Sequence, residues 1–238
     1  MKKRVLAGIV LALALCLPVM SGSIAGASRS SRSVDPHDFV SRVDNRYFPL
    51  RPGATLRYEG VAENGRTAQT DVVFVTRKRK RIQGVSCVVV RDTVSAGGTP
   101  VERTYDWYAQ DKKGNVWYFG EDSRGYHNGR FVKAGDSWRA GFDGAHAGII
   151  MKAKPKAGDK YRQEYYRGHA EDRAEVLGSH GAVDTPFRSF GTTLQTVERT
   201  RLEPGVAERK YYAAGIGEIK SQDVSGDHEA FALVAVSH

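Results

Sequence analysis

From Thr55 to the C-terminus, turn-forming residues interrupt the chain every ten residues or so, and this punctuation limits what it can fold into. The turns include Glu63-Asn64-Gly65, Ala96-Gly97-Gly98-Thr99-Pro100, Asp111-Lys112-Lys113-Gly114-Asn115, Asn128-Gly129 and the segment 154–159. Gly, Asn and Asp tolerate the positive φ of tight hairpins, and Pro presets a turn. Between the turns lie short runs of β-branched and aromatic residues, most clearly residues 105–122 (YDWYAQDKKGNVWYFGED), two aromatic strands around one polar turn.

Residues 71–75 and 87–90 are apolar on both alternating faces, so their strands are covered on both sides or line a closed barrel. The last apolar run, residues 229–236, is too hydrophobic for an exposed edge, which places it inside the sheet or at a barrel seam. After residue 45 only residues 170–177 show even a weak helical period. The expected fold is all-β, a single antiparallel barrel or strongly curved sheet of about twelve to fourteen strands. One short N-terminal helix is expected over 35–43, where Phe39, Val40 and Val43 follow Asp35 and Pro36. Residues 45–53 read as an entry loop whose Tyr47, Phe48 and Leu50 plug one end of the core.

The N-terminus carries a different signal. Lys2, Lys3 and Arg4 precede an apolar run too short to span a bilayer comfortably, and Ala25-Gly26-Ala27 supplies small residues for cleavage. The expected division is a signal peptide over 1–27, a Ser/Arg-rich tether over 28–34, and one all-β domain over 35–238. The mature chain then has no transmembrane segment and is secreted or periplasmic. Leu15 before Cys16 argues against lipoprotein processing. Removal of Cys16 leaves Cys87 alone, a buried structural thiol in an apolar strand. The mature chain keeps 33 basic against 27 acidic residues, a net of +6, which is compatible with anionic envelope polymers or lipid headgroups.

Residues 105–122, together with Gly148-Ile149-Ile150-Met151 and residues 161–166 (YRQEYY), resemble a family of uncharacterised exported bacterial β-rich proteins carrying a YDWYAQDxxGNVWYFGED-type motif. Residues 208–220 (ERKYYAAGIGEIK) are similar to a wider pattern of exported or lipid-anchored β proteins, an aromatic strand followed by Ala-Pro-Gly-Val-Gly, with Ala214 where Pro is frequent. The resemblance implies a bacterial envelope protein with a curved sheet or barrel. It implies no activity.

Two residue groups stand out as candidate sites. Tyr105, Trp107, Trp117, Trp138, Tyr165 and Tyr211 supply amphipathic aromatic surface that can hold a lipid, a sugar or another small amphipathic ligand. The competing reading makes them cross-strand pairs and core. Arg77, Lys78, Arg79, Lys80 and Arg81 read as a basic hairpin tip between strands, suited to an anionic envelope surface or simply to solvation. Export and the lack of interleaved aromatics argue against nucleic acid.

Asp106, Glu121, Asp122, Glu164, Glu171 and Asp172 are the carboxylates near the aromatic strands, and a converging pair among them could do acid/base work. The Asp111–Asn115 turn lacks the ligand alternation of a Ca²⁺ loop, and the seven histidines lack zinc spacing. No metal or cofactor is expected. The leading functional expectation is a non-enzymatic envelope protein binding a hydrophobic or amphipathic ligand. The alternative is a carboxylate-dependent hydrolase of envelope carbohydrate.

Overall fold

A computed structural model describes residues 34–238; the expected signal peptide and all but the last residue of the tether lie outside them. The long strands are β1 (Thr55–Val61), β2 (Ala68–Ile82), β3 (Val85–Ala96), β4 (Thr99–Asp111), β5 (Val116–His127), β6 (His146–Met151), β7 (Arg173–His180), β8 (Thr193–Arg199), β9 (Ala207–Ala213), β10 (Gly217–Ser225) and β11 (Ala230–Ser237). They form one antiparallel 16-stranded sheet in the order β7-β8-β9-β10-β11-β1-β2-β3-β4-β5-β6, with short strands attached. Every neighbour is a sequence neighbour except β11 and β1. That junction makes the apolar last strand internal.

The seam is closed by residues expected to form one strand over 160–166. Lys160–Arg162 pairs antiparallel with β7, and Glu164–Tyr165 pairs antiparallel with β6, so one short segment joins both edges of the sheet. Gln163 is the point where it changes partner, and its N–H donates to Asp172 O at 2.9 Å. The close approach requires glycine opposite. A Cβ at Gly148 would sit 2.5 Å from the Gln163 carbonyl, which real side chains do not tolerate. The fold is therefore an all-β, nearly closed antiparallel barrel.

Two-residue turns set the register of the longest strands. Gln83-Gly84, Gly97-Gly98 and Asn128-Gly129 all have positive φ at both positions, the type I′ geometry whose twist matches that of the flanking strands. The Asp111 turn works through its side chain instead. Its Oδ1 accepts from the N–H groups of Lys113 and Asn115, and its Oδ2 accepts from Asn115 Nδ2 and Trp117 Nε1, all at 2.8–2.9 Å.

Four expectations need correction. The helix over 35–43 is a single 3₁₀ turn, Pro36–Asp38, capped by Asp35. Phe39 and Val40 leave it to pair with Asp111 and Gln110 of β4, because Phe39 gains edge contacts with Trp117 and Phe119 there. The basic run is no hairpin tip. It lies within β2 between the buried anchors Val75 and Ile82, and the tip is Gln83-Gly84. A bulge starting at Thr76, whose hydroxyl donates to Val89 O at 2.7 Å, re-aims the strand ahead of Arg79. The strand over 160–166 is two half-strands, split by barrel closure, as described above.

The entry segment is a short hairpin and not the expected loop, though Phe48 and Leu50 are buried in the core as expected. Val43–Asn45 pairs with Phe48–Leu50, and the buried Phe48 ring lies 5.2 Å from Tyr108. Cys87 is fully buried, and burial pushes its thiol up to about 12, so it stays protonated and inert.

Candidate functional site

The buried face of the barrel carries polar rows as well as apolar ones. One cross-strand row reads Tyr58, Asp71, Val94 and Glu102; the next reads Leu56, Val73, Asp92, Thr104 and Ser123; a third reads Val75, Val90, Asp106, Glu121 and Trp138. Strand alternation places these side chains together, since residues two apart share a face and cross-strand partners share a row. The sequence-derived carboxylates Asp106, Glu121 and Glu164 do converge there. Asp122 faces away and pairs with Arg124 at 2.8 Å, Glu171 caps the Gly168 N–H, and Asp172 lies beside the seam.

The geometry of this group forces a conclusion about protons. The Tyr118 hydroxyl lies 2.7 Å from Asp106 Oδ1 and 2.8 Å from Glu121 Oε2, yet it has one hydrogen to donate. Both contacts are hydrogen bonds only if one carboxyl carries a proton and donates it back. Burial pushes Asp106 up to about 7, against the downward pull of the Tyr118 hydrogen bond. Glu121 is raised by burial and then by Asp136, Glu164 and Asp106; Asp92 is raised by burial and then by Asp71. The Trp138 indole N–H donates to Glu164 Oε2 at 3.0 Å and its ring meets Tyr118 edge-on at 5.3 Å. Chemically Asp106 and Glu121 are a pair of high-pKa acids, but they are only 1% and 6% exposed and their oxygens point to the buried Tyr118 hydroxyl.

A second acidic group, which the sequence reading did not single out, surrounds Lys210. Its Nζ lies 3.0 Å from Glu198, 3.7 Å from Glu208 and 4.0 Å from Glu218. Burial alone would lower this ammonium, but the three carboxylates overcome it and hold its pKa above the usual range. The signal was the alternation Glu208-x-Lys210-x-Tyr212 beside Thr196-x-Glu198, which puts polar groups on the face that periodicity assigns to the core.

The aromatic candidates do not share one site. Trp138 faces the buried acids. Tyr211 lies on β9 beneath Lys220, and Tyr165 stacks on His146 with ring centroids 5.8 Å apart. Tyr105 is half-buried on β4.

Trp117 forms part of the wall of a groove of about 450 Å³, with Phe39, His146 and Ala147, the cations Lys112 and Lys113, and the acids Asp35, Asp38 and Asp111. Its N–H is tied to Asp111 and its ring is braced by Phe39 at 6.1 Å, so the indole is fixed in place before any ligand arrives. Trp107 lies under Lys80, whose ammonium sits 3.8 Å from the ring centroid, in a separate depression shared with Trp138. The other members of the basic run are dispersed: Arg77 and Lys78 are exposed, Arg81 donates to Gly84 O at 3.0 Å, and Arg79 donates to Ser41 O.

Among the described residues no helix is long and apolar enough to cross a membrane, and no group of His, Cys, Asp and Glu is arranged to hold a metal ion. No family model matches the chain, and no curated protein matches it in sequence. Two solved structures are similar in shape. One is a candidate exported protein with a YmcC-like fold from Bacteroides fragilis, 14% identical, with a TM-score of 0.46 over 82% of this chain and 100% of that one. The other is a candidate lipoprotein from Parabacteroides distasonis, 12% identical, with a TM-score of 0.37 over 81% of this chain and 99% of that one.

Proposed function

We propose that this is an exported envelope protein that binds an amphipathic molecule, without chemistry, in the groove beside Trp117. The observation that carries this reading is the pinned Trp117–Phe39 platform: a polar edge satisfied by Asp111, an apolar face turned to the groove, and Lys112 and Lys113 at the rim. Aromatic surface held rigid loses little conformational entropy on binding. The ring system would take an alkyl chain or a sugar face, and the lysines a carboxylate or other acidic end.

Titration with laurate, followed by the indole N–H resonance of Trp117, tests the reading. A saturable shift that is lost in Lys112→Gln/Lys113→Gln supports it. If neither laurate nor a neutral chito-oligosaccharide moves that resonance, the reading fails.

A hydrolase remains the second reading, favoured by one observation, the Tyr118 hydroxyl that holds Asp106 and Glu121 as a pair. It requires the barrel to open and admit substrate. Glycosidase assays on Glu121→Gln decide it, since unchanged turnover excludes the pair.

A further inference from the structure

A depression of about 460 Å³, distinct from the Trp117 groove, is lined by Lys80, Arg124, Lys133 and Arg139, with Trp107, Trp138, Phe142 and Tyr166 as its aromatic lining. The cations come from four separate strands. Lys80 belongs to β2, Arg124 to β5, Lys133 to the short strand Arg130–Lys133 beside it, and Arg139 to Trp138–Arg139, which also pairs with β5. Sequence separation hides the cluster, and sheet pairing assembles it.

Two carboxylates also line the depression, and each is already engaged. Asp122 is held by Arg124 through two contacts, 2.8 Å and 3.3 Å, and Glu121 turns inward to Tyr118. Among the described residues no carboxylate stands within ion-pair distance of Lys80, Lys133 or Arg139. Lys80 and Arg139 rest on aromatic rings instead, Lys80 over Trp107 at 3.8 Å and Arg139 over Phe142 at 5.4 Å. Lys80 is half-buried and Arg139 exposed, so both ammonium and guanidinium remain open to a ligand while their stems rest on the rings. Burial and then the neighbouring Arg139 lower the pKa of Lys80; Asp122 partly offsets this by raising it, and Lys133 adds a smaller downward push. An anion placed among these groups would relieve that repulsion.

We infer that this depression is a binding site for a phosphate-bearing ligand, with Lys80 and Arg139 as its principal contacts. A phosphate group presents several acceptor oxygens to converging donors, and guanidinium forks match that geometry. The shared chemistry is a phosphate monoester or diester, whether it arrives as a soluble compound or as a lipid headgroup.

Isothermal titration of the full-length mature chain with inorganic phosphate and with glycerol 3-phosphate measures the site directly, with the Trp107 indole resonance reporting its location. The expected result is saturable binding weakened about tenfold or more in Lys80→Gln/Arg139→Gln, as expected for loss of charged hydrogen bonds. Lys112→Gln/Lys113→Gln in the other groove should leave it unchanged. Co-sedimentation with phosphatidylglycerol and phosphatidylcholine vesicles separates the sources: capture that needs Lys80 and Arg139 indicates headgroup binding, and its absence beside soluble binding indicates a free ligand. Absence of saturable binding to either soluble probe overturns the inference, as does an equal loss in the Lys112/Lys113 variant.

Discussion

Two acidic clusters are buried on different strands of one sheet, and they are neutralised in different ways. On β8 to β10, Glu198, Glu208 and Glu218 surround the ammonium of Lys210, which is 1% exposed. On β2 to β5, the charges that act most on Asp92, Asp106 and Glu121 are other carboxylates. Buried like charges cannot all ionise, so where the first cluster uses a lysine the second uses protons. The difference teaches that the buried face carries packed polar structure kept neutral by two different means.

The comparison also separates the two halves by pH. A carboxyl whose folded pKa is raised binds its proton more tightly in the native state than unfolded. Its contribution is fully present below the unfolded value of about 4 and is lost as pH rises through the folded value. For Asp106 that window runs from about 4 to about 7. Lys210 behaves oppositely in range: its raised pKa gives stability present below its unfolded value near 10 and lost only above it, so the contribution of this lysine is flat across the same window.

The largest effect should come from Lys210→Met, which leaves three buried carboxylates without their cation. Urea unfolding at pH 7 should show a loss of roughly 3–5 kcal/mol. The variant should regain stability on acidification, which would make this half a copy of the other.

Asp106→Asn should act in the opposite sense. At pH 8 it should stabilise the fold by roughly 1–3 kcal/mol by removing a buried carboxylate, and near pH 4 it should change little. Tyr118→Phe comes next. Removing the hydroxyl that bridges two carboxyls should cost roughly 1–2 kcal/mol and raise both acids further. Smallest is Arg57→Ala, which breaks an exposed 3.2 Å pair with Glu59 and should move the midpoint by less than about 0.5 kcal/mol. A large effect there would mean that burial is not what distinguishes these clusters.

Local chemistry made much of the fold legible. The type I′ turns at Gly97-Gly98 and Asn128-Gly129 were marked by Gly and Asn, the one at Gln83-Gly84 was not, and the internal place of β11 followed from its apolar faces. What escaped was long-range. Gln163 looks like any strand residue, and only closure shows that its neighbours pair with opposite edges. The basic run looked like a loop because charge alone was weighed, whereas Val75 and Ile82 hold its backbone in the ladder.

The site was partly visible. Asp106, Glu121 and Glu164 were noted as neighbours of tryptophans, but their convergence depends on the register of β4, β5 and the seam. Trp107 and Trp117 are close in sequence yet line different depressions, with a β-bulge near Asp106 between their strands, whereas Trp138, farther along the chain, shares a depression with Trp107.

The slope of unfolding free energy against pH, between pH 5 and pH 7, tests the proton-holding interior most directly when wild type is compared with Asp106→Asn/Glu121→Gln. The account predicts that wild-type stability falls relative to the double variant as pH rises, by about 1.4 kcal/mol per pH unit for each proton held. Identical slopes in the two proteins, or a wild-type stability that climbs relative to the variant, would contradict it.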